Sequence, residues 1–291
     1  MKLLIIGHSV EDHFIKDEKE EVKPGGIFYT ASMLNNFKKP LDEIVLLTAI
    51  EKNNYSLFSS AYENFDREYF QTVDSIPKVF LKIHQDKERD ECYNKITENL
   101  SIKIENISSF DGILINMITG YDVKLEQLIN IRKSFKGLIY FDVHTFSRGL
   151  EPDGKRSFRV IPDFLKWAEM LDFIQVNQHE LLTLSSSNDP LEIVKEILNT
   201  GTKYLILTME ELGARIFFLD NNEVNSIFKP AMKIENKNKI GCGDIFGAVF
   251  FYSYFKARDI GKSLEFANNA AGFAAMGVDL KEIRNLIKDA S

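Results

Sequence analysis

The stretch NKIGCGDIFGAVFF, residues 238 to 251, places Gly241, Cys242, Gly243 and Asp244 directly before an apolar run. If that run is a helix, its first backbone N–H groups have no partner inside it and point outward. The helix dipole adds positive potential at the same place. Glycine leaves the backbone open to close approach, so Gly241, Cys242 and Gly243 would together form a hole for an anion. Asp244, at its lip, is a carboxylate that can take the proton of an approaching hydroxyl. Donors that stabilise a transferring phosphoryl group, beside a base for the alcohol, suit phosphoryl transfer. The same aspartate also suits a simple helix cap, and this stretch alone leaves both roles open.

Other polar residues stand where apolar runs stop: Gly7, Asp12, Asn116, Asp142, His144, Asn177, Glu180 and Thr208. This is a set of carboxylates and amides with few basic groups. It holds no G-x-S-x-G elbow and no Ser-His-Asp order for acyl transfer. No G-x-x-x-x-G-K-[ST] loop occurs, and no G-x-G-x-x-G follows the first apolar run. His8, His13, His84, His144 and His179 lack the spacing of a zinc site. Cys92 and Cys242 are far apart, so neither a metal pair nor a disulfide framework is expected, which goes with a reducing cytoplasm.

The elements that must position these groups read as alternating strands and helices. KLLIIG, EIVLLTAI, DGILINMI, GLIYFDV, LDFIQVN and KYLILTM are short apolar runs of the kind found in buried parallel strands. Helical segments lie between them: GGIFYTASMLNNF, YDVKLEQLINIRKSF and DPLEIVKEILNTG. In the last, Asp189 is a cap, Pro190 suits the first turn and Gly201 the stop. This alternation predicts a parallel sheet covered on both faces. Ligands of such sheets bind beyond the carboxyl ends of the strands, where the polar residues above fall. Residues 13–24 and 72–98 break the pattern with charges and short β-like runs, and are expected to form a small β flap.

The 291 residues are 44% hydrophobic and 27% charged, with a formal net charge of −7. That balance is globular, and without a basic stripe it argues against nucleic acid as the partner. The opening MKLLIIGHSVED has too short an apolar segment for a signal peptide and reads as a first strand. No run of about 18 apolar residues predicts a membrane span. No long linker or internal repeat divides the chain.

IGCGDIFGAVF resembles the C-terminal signature of the ribokinase/PfkB-like carbohydrate kinases, roughly D-T-[TV]-G-[AC]-G-D-x-F-x-[GA]. Further segments resemble the family in its order along the chain. IIGHSVED is similar to its first strand, with Gly7 and Asp12 in place, and PGGIFYTASML to its Gly-Gly substrate loop. FDVHTFSRG is similar to the D-x-Q-G-F-x-R element of one subgroup, and VNQHE matches N-x-x-E. ILTMEELGARIF resembles the T-x-G-x-x-G segment and EFANNAAGFAAMGV the last nucleotide-side helix. The resemblance implies a single α/β domain over 1–291. It would be a ribokinase-like three-layer sandwich with a mostly parallel central sheet, helices on both faces, and a small β lid from about 13–24 and 72–98.

It also implies an ATP-dependent kinase, cytoplasmic, acting on a hydroxyl of a small sugar, polyol or nucleoside. Asp244 would be the catalytic base, with Gly241, Cys242 and Gly243 as the anion hole. Glu180 would organise Mg2+ through water, with Asn177 beside it. Asn177, Thr208, Gly213 and Asn268 would lie along the nucleotide. Asp12, Gly25 and Gly26 would hold substrate hydroxyls, with Asn116, Asp142, His144 and Arg148 on the same side. Phe28 and Tyr29 are candidates to pack against the substrate, and Cys242 is a small space-filler or a thiolate activated by the helix. Apart from the resemblance, the exposed β flap expected from the sequence is an edge that can pair with a second copy, giving a homodimer through the lid. The chain departs from the family at Asn238 and Lys239, where Asp and Thr are usual, at Glu210, where the T-x-G segment has glycine, and at Thr30, where many members have Asn. Loss of the acid at 238 argues against a monovalent-cation site. The alternative is a sugar- and nucleotide-binding regulatory protein of the same fold with little turnover.

Overall fold

The computed structural model describes residues 1–16, 19–82, 90–94, 96, 99–234 and 240–289. β1 (Lys2–Ile6) leads to two strands outside the main sheet, β2 (Ser9–Lys16) and β3 (Lys19–Gly26). Then come α1 (Phe28–Phe37), β4 (Glu43–Glu51), α2 (Tyr55–Tyr62) and β5 (Phe70–Val73), followed by β6 (Lys78–Lys82) and β7 (Asp90–Asn94). The middle of the chain holds β8 (Gly112–Asn116), α3 (Leu125–Ser134), β9 (Leu138–Asp142) and two short strands, β10 (Arg148–Leu150) and β11 (Arg156–Phe158). Next are α4 (Phe164–Ala168), β12 (Phe173–Asn177), α5 (Gln178–Leu181), α6 (Pro190–Asn199) and β13 (Tyr204–Thr208). β14 (Gly213–Asp220), β15 (Glu223–Pro230), α7 (Cys242–Ala257), α8 (Ile260–Ala275) and α9 (Leu280–Asp289) complete it.

Nine strands form the central sheet in the order β15-β14-β13-β12-β9-β8-β1-β4-β5. From β13 to β5 every pair is parallel, while β14 runs antiparallel to both of its neighbours, β13 and β15. The inner strands are continuous apolar runs because both faces are covered. On one face Leu3, Ile5 and Leu46 pack under α1, α7, α8 and α9. On the other, Leu4, Ile113 and Ile174 pack under α3, α4 and α6. Helix α7 is apolar all round, and its residues from Asp244 to Ser253 are buried, as expected of a helix enclosed by others. In α6, Asp189 Oδ1 accepts from Leu191 N at 2.8 Å and Gly201 stands at φ +104°, so the caps read from sequence are both in place.

A second sheet has the order β3-β2-β6-β7. Its inner face packs Val10, Phe14, Val79, Leu81 and Tyr93 against Ile118 of the body. Against the expected flap of 13–24 and 72–98, this sheet starts earlier, at Ser9. Phe70–Val73 instead extends the main sheet beside β4. Residues 83–89 lie outside the described residues, as do 95, 97 and 98. At the base of β2, Ser9 Oγ meets Thr48 Oγ1 and Tyr62 OH, each at 2.9 Å. Among the described residues no helix is long and apolar enough to cross a membrane.

Candidate active site

The parallel register sets the polar strand ends side by side. Asn116 of β8 pairs with Asp142 of β9, Gln175 of β12 with Asp142, and Asn177 of β12 with Thr208 of β13. The first turn of α7 lies over this row. Gly241 caps it at φ +72°, and a Cβ there would meet the Tyr29 ring. Gln175 Nε2 donates to Gly243 O at 3.1 Å, while Tyr140 OH donates to Gln175 Oε1 at 2.5 Å. Gly247, one turn on, lets the helix come this close: its Cβ would stand 2.9 Å from Gln175 Oε1. The helix start is thus fixed to β9 and β12 from below.

Asp244 is buried at the third position of this turn. Asn116 Nδ2 donates to Asp244 Oδ1 at 3.2 Å and to Asp142 Oδ2 at 3.1 Å. Thr30 Oγ1 of α1 donates in turn to Asn116 Oδ1 at 3.3 Å. One amide therefore holds two carboxylates, and its own orientation is set by a hydroxyl. This differs from the expected role of Asn116. Its side chain does not line the cavity; it is 1% exposed and bonded to the groups that do.

A cavity of about 230 Å3 opens in front of Asp244. Asp12 and Gly26 border it from the small sheet, Asp142, His144 and Arg148 from the end of β9 onward, and Glu180 from α5. Val10, Val79, Leu81, Tyr93 and Ile118 supply an apolar wall, and Tyr29 also borders it. Gly25 lies outside the lining, directly under Asp12: a Cβ on it would overlap the Asp12 carboxylate. Gly25→Ala should therefore displace that carboxylate without unfolding the chain. A polyhydroxyl ligand of this cavity should then bind about tenfold or more weakly, the loss of a charged hydrogen bond. An unchanged affinity in the variant would remove Asp12 from the groups that bind in the cavity. Gly26 has a backbone need of its own, with φ +63° and His8 O in the way of any Cβ.

The charge balance in this cavity is uneven. Burial pushes the Asp244 carboxyl well above its ordinary range, and Asp142, Asp12 and Glu180 push it further. Asp142 is raised by burial, against the Asn116 hydrogen bond that lowers it. Glu180 is raised by burial and by Asp142, with Arg148 opposing. Glu180 is 8% exposed, not an exposed helix residue; its Oε2 accepts from Asn177 N at 2.8 Å. Asn177 Oδ1 accepts from His179 N and Glu180 N, both at 2.9 Å, so the pair is a reciprocal capping box. The Cys242 thiol is pushed up to about 11 by burial and by Asp244. That corrects the thiolate reading: at neutral pH this group is a protonated space-filler.

A second cleft, of about 420 Å3, begins on the other side of Gly243. Asn177, Thr208, Gly213, Cys242 and Asn268 line it, together with Ala214, Met232, Phe246, Ala271 and Gly272. Gly213 is required by the backbone, at φ +118° with Lys229 O where a Cβ would be. Asn268 Nδ2 is tied to Pro230 O at 2.6 Å and Thr208 Oγ1 to Val176 O at 3.3 Å. Glu210 borders this cleft at φ +48°. The left-handed region costs a residue with a Cβ about 1–2 kcal/mol, which accounts for the glycine expected here. Glu210→Gly should stabilise the protein by about 1 kcal/mol, seen as a raised midpoint in urea; a lowered midpoint would mean that the glutamate is held by its contacts.

Apart from Gly25 and Asn116, which stand behind the lining, the sequence-predicted site residues border two adjoining spaces that share Asn177, Thr208 and Gly243. Asn238 and Lys239 lie outside the described residues, as does His84. Sequence reasoning missed Gln175 and Tyr140, which hold α7, and Tyr93 on the cavity wall. Thr30 was noted only as a departure. Gln175 carried a signal: it is a polar residue inside the apolar run of β12.

Residues 149–278 match the family model described as pfkB family carbohydrate kinase, a little under half of the chain. None of the curated protein sequences matches. Solved structures match over the whole length. A sulfate complex of a pyrophosphate-dependent kinase in the ribokinase family is 18% identical, with TM-score 0.77, covering 98% of this chain and 99% of its own. Thermotoga maritima ribokinase is 15% identical, with TM-score 0.75, covering 99% of this chain and 98% of its own. Arabidopsis thaliana ribokinase, complexed with ribose and ATP, is 14% identical, with TM-score 0.76 and the same coverages of 99% and 98%. The fold is ribokinase-like.

Proposed function

We propose that this protein is a kinase that transfers the terminal phosphoryl group of ATP to a hydroxyl of a small sugar, polyol or nucleoside. The observation that carries the proposal is Gly243. Its φ is outside the left-handed region, and a Cβ on it would have only Gln175 Nε2 nearby, at 3.6 Å. Neither backbone nor packing needs glycine there. An approaching phosphoryl group does, since the position lies between the two spaces with the outward N–H groups of a helix start.

In this reading the acceptor occupies the cavity before Asp244, with Asp12 accepting from its hydroxyls. Asp244, oriented by Asn116, takes the proton of the attacking hydroxyl in its ionised form, which the positive charge of a cation arriving with the nucleotide would favour against burial. The backbone N–H groups of Gly241, Cys242 and Gly243 receive the charge that builds on the phosphoryl oxygens. Asp142 and Glu180 add acidic oxygens to the same wall, and Arg148 opposes the rise that burial imposes on Glu180. This donor set of hard oxygens suits Mg2+ carried by phosphates and water. Among the described residues no three acidic, His or Cys groups stand together as a direct metal cage. When bound, Mg2+ would neutralise phosphate charge; Glu180 and Asn177 are the residues to hold its water.

The apolar part of the second cleft, from Ala214 to Gly272, favours a nucleotide donor, whose base and ribose would fill it. Pyrophosphate, the donor of one structural neighbour, would leave it empty. The test is to supply ATP, GTP and pyrophosphate in turn with a panel of sugars, polyols and nucleosides. Acceptor-dependent product from ATP but not from pyrophosphate is the expected result. Product from pyrophosphate alone would overturn the donor assignment, and nucleotide binding without any product would favour the regulatory-protein alternative.

A further inference from the structure

Among the described residues the hairpin of β10 and β11 pairs with no strand of the central sheet, yet its tip reaches the small sheet. Lys155 makes an antiparallel bridge with Cys92 of β7, and Tyr93 N donates to Gly154 O at 3.0 Å. Gly154 stands at φ +82°, and a Cβ there would lie 2.9 Å from Tyr93 O. Glycine is thus needed twice, for the turn and for the approach to β7. Behind the tip, the Arg156 guanidinium lies 4.5 Å from the centre of the Tyr93 ring and 5.6 Å from that of Tyr121. Its Nη2 donates to Thr119 O at 2.7 Å and its Nη1 to Arg148 O at 3.3 Å.

These contacts converge on the acceptor cavity. Tyr93 is buried, lines that cavity, and has its hydroxyl 3.3 Å from Thr145 Oγ1. Arg148, at the other end of the hairpin, lines the same cavity. The far edge of the small sheet and the cationic group beside Glu180 are therefore joined through one arginine. We propose that the hairpin is a strap: Gly154 and Arg156 hold β7 down over the cavity through Tyr93, and the same contacts place Arg148. Arg156 is a positioning residue, since it acts through Tyr93 and Arg148. The strap rests on the kinase reading for its purpose but not for its existence.

The experiment compares backbone amide exchange in wild type, Arg156→Ala, Arg156→Lys and Gly154→Ala, using the full chain without ligand. Losing a stacked, hydrogen-bonded guanidinium should speed exchange in residues 78–82 and 90–93 about tenfold or more, with β8, β9 and α7 unchanged. Lysine keeps the charge but not the planar contact between two rings, so its effect should be intermediate. Gly154→Ala should loosen the same residues by a different route. Unchanged exchange of the small sheet in both Arg156→Ala and Gly154→Ala overturns the strap. So does faster exchange spread evenly over the central sheet, which would make Arg156 a general structural prop. ADP release from Mg·ATP without acceptor is measured alongside, and should rise several-fold as water gains access. Failure of wild type to form product with any acceptor would count against the kinase reading, and the exchange pattern would still decide the strap.

Discussion

Asp244→Asn is expected to lower turnover by about two to four orders of magnitude while nucleotide binding persists. Asparagine keeps the size of the side chain and can still accept from Asn116, so the site keeps its shape and loses its base. Stability separates this outcome from loss of a helix cap. In the folded protein, burial and the neighbouring carboxyl groups raise the Asp244 carboxyl well above the ordinary carboxylate range. Below the unfolded value both states carry the proton and nothing is lost. As pH climbs toward the folded value, the unfolded chain gives up its proton first, and the fold loses stability. Asparagine never ionises and escapes that loss, so the variant should be at least as stable as wild type near neutral pH. A structural cap would behave in the opposite way, with stability falling together with activity. Unchanged turnover in the variant would remove Asp244 from the chemistry.

Gly243→Val should abolish detectable transfer, a loss of at least about two to three orders of magnitude, the scale of losing an oxyanion donor. Space exists for the first carbon, since its nearest neighbour would be Gln175 Nε2 at 3.6 Å, so the chain should fold. The added methyl groups would stand where the two spaces meet. Strain from a left-handed backbone belongs to Gly241 at φ +72°, not to Gly243. A folded variant with normal turnover would show that no phosphoryl group passes this turn.

The central sheet was legible because β1, β8, β9, β12 and β13 are covered on both faces and read as apolar runs, interrupted within β12 by Gln175. The start of α7 was legible for a different reason: two glycines beside an acid at the edge of an apolar run have few uses. What stayed hidden depends on contacts between distant residues. Asn116 could be placed at a strand end, but its use in holding Asp244, 128 residues away, depends on how α7 lies on the sheet. Gln175 and Tyr140 acquire their role the same way. Cys242 could be read as activated by the helix or inert, and burial beside Asp244 decides for inert. The small sheet was blurred because the charged residues on its outer face mask the alternation of Val10, Asp12 and Phe14. Phe70–Val73 carries the same β-like pattern whichever sheet it joins.

The most direct test of the central claim is to follow phosphorus by NMR while wild type and Asp244→Asn act on ATP, Mg2+ and a panel of ribose, myo-inositol and nucleosides. The account predicts a phosphate monoester formed with ADP in equal amounts by wild type, only when an acceptor is present, and lost in the variant. ADP and inorganic phosphate appearing at the same rate with or without every acceptor, and with no ester, would contradict it.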